Sequence, residues 1–116
     1  TQGMFDRTAF AKMKPTARFI NVARGKVVNT DDLYEALKEK RIAYAALDVT
    51  EPEPLPGDHP LLTLDNILVT PHIGSATVET RDAMALLTAD NLLAALQGEK
   101  MPACVNPAVQ TDAAKA

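Results

Sequence analysis

Three short apolar runs punctuate the chain, and each of them ends in polar or turn-forming residues. The runs cover Arg18 to Val22, Ala43 to Val49 and Ile67 to Thr70. Short runs that are rich in β-branched residues and apolar on both sides are typical of buried strands in a parallel sheet. We therefore predict three parallel strands, each of which leads into a loop.

Amphipathic segments precede and separate these strands. Asp6 is a suitable N-cap for a helix of two turns, which Pro15 cannot continue. Thr30 offers a capping hydroxyl for a second helix, followed by two acidic residues that suit the helix dipole. The apolar face of this second helix is formed by Leu33, Ala36 and Leu37.

A third and longer helix is predicted near the end of the chain. Thr77 can cap it, and its pattern continues to Gln97, with Gly98 as the residue after its end. Such a helix spans roughly 30 Å. Strands that alternate with helices indicate an α/β fold, doubly wound in style.

Chemically active side chains follow every predicted strand. Arg24 follows the first strand, Asp48 with Glu51 and Glu53 follows the second, and His72 follows the third. In open parallel sheets, ligands bind outside the carboxyl ends of the strands. The pattern therefore predicts a cation, carboxylates and an imidazole at one rim of the sheet.

Each of these residues also has a simpler interpretation. Arg24 is either a solvated surface charge or a guanidinium that holds a carboxylate through two parallel hydrogen bonds, with Gly25 leaving room for a small substrate. His72 is either a loop residue or a general acid near neutral pH, which needs a carboxylate to orient its ring. The spacing does not choose between Glu51 and Glu53 as that carboxylate.

Two further polar residues also admit more than one interpretation. Asp48 ends an apolar strand, so its carboxylate must meet water or find donors, either in a bound cofactor amide or as a cap of a helix or loop. His59 follows no strand, and we expect it to pack or to cap rather than to act in catalysis.

Composition narrows the functional classes. The 116 residues are 47% hydrophobic, which fits one globular unit. The net charge is -3 and no Lys/Arg cluster forms a stripe, so we expect no nucleic-acid partner. Apolar runs fall short of the roughly 20 residues that cross a bilayer, which favours a soluble cytoplasmic protein. Cys104 is the single cysteine, so neither an internal disulfide nor a metal cluster is expected.

The motifs Asn-x-x-Arg-Gly, Ala-Leu-Asp-Val before an acidic Pro-rich loop, and Pro-His-Ile-Gly-Ser resemble those of the D-2-hydroxyacid dehydrogenases. The resemblance extends to Val105-Asn106-Pro107. Within that family the chain is most similar to glyoxylate/hydroxypyruvate reductases. The segments that carry this closer similarity are residues 27–34, Leu55-Pro56, residues 59–62 and residues 98–102.

The resemblance implies a role for each rim residue. Arg24 would bind the substrate carboxylate and keto oxygen, His72 would be the proton donor, and Glu53 rather than Glu51 would be its partner. The cofactor would be NAD or NADP, with Asp48 beside the nicotinamide carboxamide and no metal. The residues predicted to contact the cofactor are Val22, Ala23, Arg24, Asp48, His72, Gly74 and Ser75.

The resemblance also implies that the chain is a C-terminal part of a longer enzyme. The Gly-x-Gly-x-x-Gly turn of a dinucleotide-binding domain is absent. Residues 1–76 would be the second half of a Rossmann-type doubly wound sheet, residues 77–98 a long helix that packs on the substrate domain, and residues 99–116 a tail. The expected partners are a small 2-keto or 2-hydroxy acid, the missing N-terminal part and a second copy in a homodimer.

Two other functions fit the same pattern. Relatives of these dehydrogenases include NAD-responsive transcriptional corepressors with a similar acid–base set. A sheet separated from its other half would leave an edge and apolar helix faces uncovered, so the chain could instead be a non-catalytic assembly module.

Overall fold

The computed structural model of the chain describes residues 1–108, so the end of the predicted 99–116 tail lies outside the described residues. The chain divides into two compact units, Thr1–Gly74 and a second unit that begins at Ser75. Among residues 1–108, the first unit contains two α-helices and three strands, and the second contains one long α-helix.

The first unit begins with helix α1, Arg7–Ala11, followed by strand β1, Arg18–Asn21. Helix α2, Thr30–Lys38, leads to strand β2, Tyr44–Leu47, and strand β3 is Ile67–Val69. Two short 3₁₀ helices, Gly25–Val27 and Pro60–Thr63, were not predicted. The second of them lies between β2 and β3, where an α-helix would stand in a regular alternation.

The predicted N-cap is correct for helix α1 and wrong for helix α2. Asp6 Oδ1 accepts a hydrogen bond from the Ala9 amide at 2.9 Å, which confirms the predicted cap of α1. Asn29, not Thr30, caps α2, because Asn29 Oδ1 accepts from the Asp32 amide at 3.1 Å. The Thr30 hydroxyl instead donates to the carbonyl oxygen of Glu51 at 3.0 Å.

The three strands form a parallel sheet in the order β1-β2-β3. This confirms the predicted α/β class with a parallel sheet. Phe19 on β1 meets Phe5 and Phe10 edge to face, with ring centroids 5.0 and 5.4 Å away. The largest fully buried side chains of this core are Phe10, Leu33, Leu37, Ile42 and Leu61.

The two faces of the sheet differ. Phe19 and Leu47 are buried on the core side, whereas Ile20 and Leu68 are 68% and 52% exposed. The strands are therefore apolar on both sides, as predicted, but only one face is covered in the described structure. Exposed apolar side chains also lie on the long helix of residues 78–96, where Leu86 is 66% and Leu96 76% exposed, which agrees with the predicted uncovered helix faces.

Helix α3, Val78–Leu96, is the long helix of the second unit. Thr77 Oγ1 accepts from the Thr80 amide at 3.2 Å, and Gly98 has a positive φ of 72° just after the end. Both predicted ends are confirmed. Within the same unit, Asn91 Oδ1 accepts from the Ala103 amide at 2.9 Å, which holds the following segment. Residues 1–108 contain no helix with the length and apolarity needed to span a membrane.

Candidate active site

The three strands end in register at one edge of the sheet. Asn21 pairs with Leu47, and Leu47 pairs with Val69. The loops after these residues therefore leave from the same rim, as predicted for a ligand site of a parallel sheet. We call residues 22–25 the β1 loop and residues 70–74 the β3 loop.

The β1 loop carries Arg24 and is held by Asn21. The Asn21 side chain donates from Nδ2 to the Arg24 carbonyl oxygen at 2.9 Å, and its Oδ1 accepts from the Ala23 amide at 3.0 Å. The Arg24 guanidinium is exposed and donates from Nη1 to the Ala23 carbonyl oxygen at 2.7 Å. The loop thus presents a solvated cation on an anchored backbone.

Gly25 has a steric role that the sequence does not predict. It is buried, and a Cβ at this position would lie 1.9 Å from the carbonyl oxygen of Thr50. Close backbone contact with Thr50 therefore requires a glycine here, and the room that it leaves for a substrate stays a prediction. This contact joins the β1 loop to Thr50, the first residue of the segment 50–57 after β2, which we call the acidic loop.

The acidic loop brings Glu53 to His72. Oε1 of Glu53 lies 2.5 Å from Nδ1 of His72, and the two side chains are 39% and 47% exposed. The hydrogen bond with His72 holds the pKa of Glu53 below its ordinary value of 4.5. The Thr50 amide and the charges of His72 and Arg24 act in the same direction, while partial burial opposes them. Glu53 is therefore hydrogen-bonded to the imidazole and is also influenced by the charge of the guanidinium.

The backbone of His72 has a positive φ of 54°, in the left-handed region that non-glycine residues seldom adopt. Its amide donates to the Thr70 carbonyl oxygen at 3.0 Å. Such conformations persist only where the surroundings determine them. Here the surroundings are the acidic loop on one side and Asp48 on the other.

Asp48 is buried and binds three donors of the β3 loop. Its Oδ1 accepts from the Thr70 hydroxyl at 2.6 Å and the Ile73 amide at 2.8 Å, and its Oδ2 accepts from the Gly74 amide at 2.8 Å. The Thr70 hydrogen bond, followed by the backbone amides and the charge of His72, holds the pKa of Asp48 below its ordinary value of 3.8, against the effect of burial. The loop-cap interpretation of Asp48 is what the structure shows.

Two open cavities meet at Glu53. One, of about 450 Å³, is lined by Glu53, His72, Asp48 and apolar residues that include Leu55 and Leu62. The other, of about 380 Å³, is lined by Glu53, Arg24 and the chain's first residues. The rim therefore offers a polar wall shared by two adjacent spaces.

The remaining predicted residues are placed as follows. Val22 and Ala23 are exposed beside Arg24, and Gly74 lies on the β3 loop. Ser75 is the first residue of the second unit, and its cofactor contact stays a prediction. Glu51 is exposed and binds only Thr30, through its carbonyl oxygen, among the described contacts. His59 Nδ1 accepts from the Leu61 amide at 3.2 Å, which agrees with the expected cap.

Sequence reasoning missed three polar residues that hold the rim. They are Asn21, Thr50 and Thr70, and the side chains of Asn21 and Thr70 bind site residues directly. Asn21 could have been found as an amide at the end of an apolar strand, where a buried polar group needs partners. Within residues 1–108, no group of three or more His, Cys, Asp or Glu side chains could hold a metal ion.

A parallel α/β sheet with this polar rim is the architecture of a nucleotide-binding half-domain. Residues 1–74 match the family described as D-isomer specific 2-hydroxyacid dehydrogenase, NAD binding domain. The chain therefore belongs to the D-isomer specific 2-hydroxyacid dehydrogenase family.

Individual relatives agree with this assignment. The chain is 62% identical to glyoxylate reductase/hydroxypyruvate reductase of Homo sapiens over 102 residues, which is 88% of this chain and 31% of that protein. It resembles a crystal structure of a Thermus thermophilus protein with a TM-score of 0.82 and 47% identity, over 90% of this chain and 33% of that one.

A third relative has been solved with ligands. It is the NADPH-dependent glyoxylate/hydroxypyruvate reductase of Sinorhizobium meliloti in complex with NADP and malonate, with a TM-score of 0.82, 36% identity and coverage of 91% of this chain and 34% of that chain. The chain thus spans about a third of the length of the relatives it matches.

Proposed function

We propose that this chain is the part of an NAD(P)-dependent 2-hydroxyacid dehydrogenase that supplies the proton donor and the carboxylate anchor for reduction of glyoxylate or hydroxypyruvate. The observation that carries the proposal is the Glu53–His72 pair at 2.5 Å, on the same rim as Arg24. The names of the Homo sapiens and Sinorhizobium meliloti relatives support the choice of substrate.

The geometry supports a chemical role for each side chain in this proposal. Because Nδ1 of His72 is occupied by Glu53, its Nε2 is the nitrogen left to face substrate. From Nε2, an imidazolium can donate its proton to the oxygen that develops negative charge when a keto group is reduced. The Arg24 guanidinium would hold the substrate carboxylate by paired hydrogen bonds and stabilise that same oxygen.

A bound reduced nicotinamide would supply the hydride to the C2 carbon of the keto acid. The residues present fit such a group. Oδ2 of Asp48 accepts a single described hydrogen bond, from Gly74, so it has capacity to accept another from a carboxamide. Val22 and Ala23 are exposed at the end of β1, where the backbone can face a dinucleotide.

The coverage of the relatives supports a second element of the proposal, that the complete active site needs a further N-terminal part. We also propose that the complete enzyme is a cytoplasmic homodimer. A chimera tests the need for an N-terminal part most directly. The chain would replace the corresponding segment of the Homo sapiens reductase, and NADPH oxidation with hydroxypyruvate would be measured for the chimera and for the 116-residue chain alone. We expect turnover by the chimera and none by the chain.

The variant His72→Gln of the chimera should lose at least about 100-fold in kcat, since general acid catalysis contributes that much. A folded chimera without turnover would count against the proposed function. Turnover by the isolated chain would instead contradict the need for another part.

A further inference from the structure

Asn21 is a buried polar side chain whose two described hydrogen bonds both go to the β1 loop. It is 5% exposed and occupies the last position of β1. Its Nδ2 donates to the Arg24 carbonyl oxygen at 2.9 Å, and its Oδ1 accepts from the Ala23 amide at 3.0 Å. A buried amide without such partners would be costly, so the side chain and the loop constrain each other.

The positions that pair with Asn21 along the sheet differ from it. Leu47 ends β2 and Val69 ends β3, and both are apolar. Packing at this level of the sheet therefore does not require an amide. Among the described strands, the amide occurs only where the following loop carries a guanidinium.

The Asn21 contacts act on the backbone on both sides of the Arg24 Cα. They fix the amide of the preceding residue and the carbonyl of Arg24 itself. On the far side, Gly25 packs against the Thr50 carbonyl and leaves no room for the loop to move inward. The direction in which the Arg24 side chain leaves the backbone is thus set by these two contacts.

We propose that Asn21 is a positioning residue for Arg24, acting on substrate carboxylate binding through the guanidinium and not by touching substrate. This inference rests on the proposed function, because it takes Arg24 as the carboxylate anchor. Misplacing such an anchor by about 1 Å is enough to cost roughly 100-fold in kcat/KM.

A double-mutant cycle in the chimera separates positioning from general stability. We expect Asn21→Ala to lower kcat/KM for hydroxypyruvate about 100-fold. In the Arg24→Ala background, the same change should lower it by less than about threefold, because the two residues act as a unit. Equal losses in both backgrounds would overturn the proposal.

Asn66 offers a matched control. Its Nδ2 also donates to backbone carbonyls, those of Leu37 at 3.1 Å and Ala43 at 3.4 Å, but it lies outside the rim. Asn66→Ala should reduce thermal stability while leaving kcat/KM within about twofold of the parent chimera. A loss of activity as large as that of Asn21→Ala would contradict a specific role for Asn21.

Amide hydrogen exchange on the 116-residue chain gives a readout that is independent of catalysis. We expect the Ala23 amide to exchange at least about tenfold faster in Asn21→Ala than in the parent, since it loses its acceptor. Asn21→Asp keeps an acceptor for Ala23 but loses the donor to Arg24, so Ala23 should stay protected. Unchanged exchange in Asn21→Ala would overturn the proposal, whereas an inactive parent chimera would count only against the proposed function.

Discussion

The β1 loop and the β3 loop present the guanidinium and the imidazole of the rim, yet they are held by different chemistry. A neutral amide from the same strand, Asn21, fixes the loop that carries Arg24. A carboxylate from the neighbouring strand, Asp48, fixes the loop that carries His72. The first support does not titrate and the second does, so the two loops should respond differently to pH and to substitution.

The largest expected effect is on the free energy of unfolding, when a glycine of one of these loops is replaced. Gly25→Ala would place a Cβ 1.9 Å from the Thr50 carbonyl oxygen, a backbone atom that cannot move alone. We expect the free energy of unfolding in urea to fall by about 3 kcal/mol or more, as for severe overpacking.

The other loop should be more tolerant. A Cβ at Gly74 would lie 3.0 Å from Oδ2 of Asp48, a side-chain atom that can shift by a few tenths of an ångström. Gly74→Ala should therefore cost less than Gly25→Ala, and Gly57→Ala, with open space around it, should change stability little. Equal losses of unfolding free energy for Gly25→Ala and Gly74→Ala would contradict the distinction between a loop that packs against backbone and a loop that packs against a side chain.

Glutamate substitutions test the next largest effect, on catalysis in the chimera. Glu53→Gln removes the charge beside Nδ1 of His72, and we expect kcat to fall about 100-fold because the imidazolium loses its partner. Glu51→Gln changes the same loop without touching His72, and its kcat should stay within about twofold of the parent. Steady-state kinetics with hydroxypyruvate measures both kcat values. A larger loss of kcat in Glu51→Gln than in Glu53→Gln would exclude Glu53 as the partner of His72.

The pH dependence of stability should distinguish Asp48, which holds the β3 loop, from Asn21, which holds the β1 loop. The folded-state pKa of Asp48 is lowered below 3.8, so its contribution is present above that value and is lost as pH falls through the folded-state pKa. The stability difference between the parent chain and Asp48→Asn should be constant above about pH 5 and narrow at lower pH. The difference between the parent and Asn21→Ala should stay constant over the same range. Urea unfolding from neutral pH to about pH 3 measures both stability differences. The prediction would be wrong if the two differences changed with pH in the same way.

The smallest effect is expected at Thr30, which ties the acidic loop to α2. Thr30→Val removes the hydrogen bond to the Glu51 carbonyl oxygen and should cost about 1 kcal/mol. Asn29→Ala removes the cap of α2 and should cost about the same, so thermal unfolding alone will not separate them. Only Thr30→Val should also reduce kcat, because only it loosens the loop that carries Glu53.

The sheet and the rim are predictable from sequence because both follow from local patterns. Three apolar runs locate β1, β2 and β3, and the parallel arrangement brings Arg24, Glu53 and His72 to one edge. The spacing alone leaves Glu51 and Glu53 as equal candidates. Contacts across the sheet are needed to see that the Glu53 carboxylate, and not that of Glu51, reaches His72.

The errors arise where a residue has more than one possible partner. Thr30 has the chemistry of a helix cap, but the adjacent Asn29 takes that role and leaves the hydroxyl to Glu51. The close contact of Gly25 with the Thr50 backbone is not predicted at all. Neither contact can be found from the sequence, because both depend on where the loop after β2 returns to the structure.

The contact between Gly25 and Thr50 has a consequence for transplanting this chemistry into another scaffold. Transferring Arg24 alone would fail, because its backbone is held by the side-chain amide of Asn21 and by the close contact between Gly25 and the Thr50 carbonyl. The smallest portable unit is therefore a pair of adjacent strand ends with their loops, and a designer would have to graft both together.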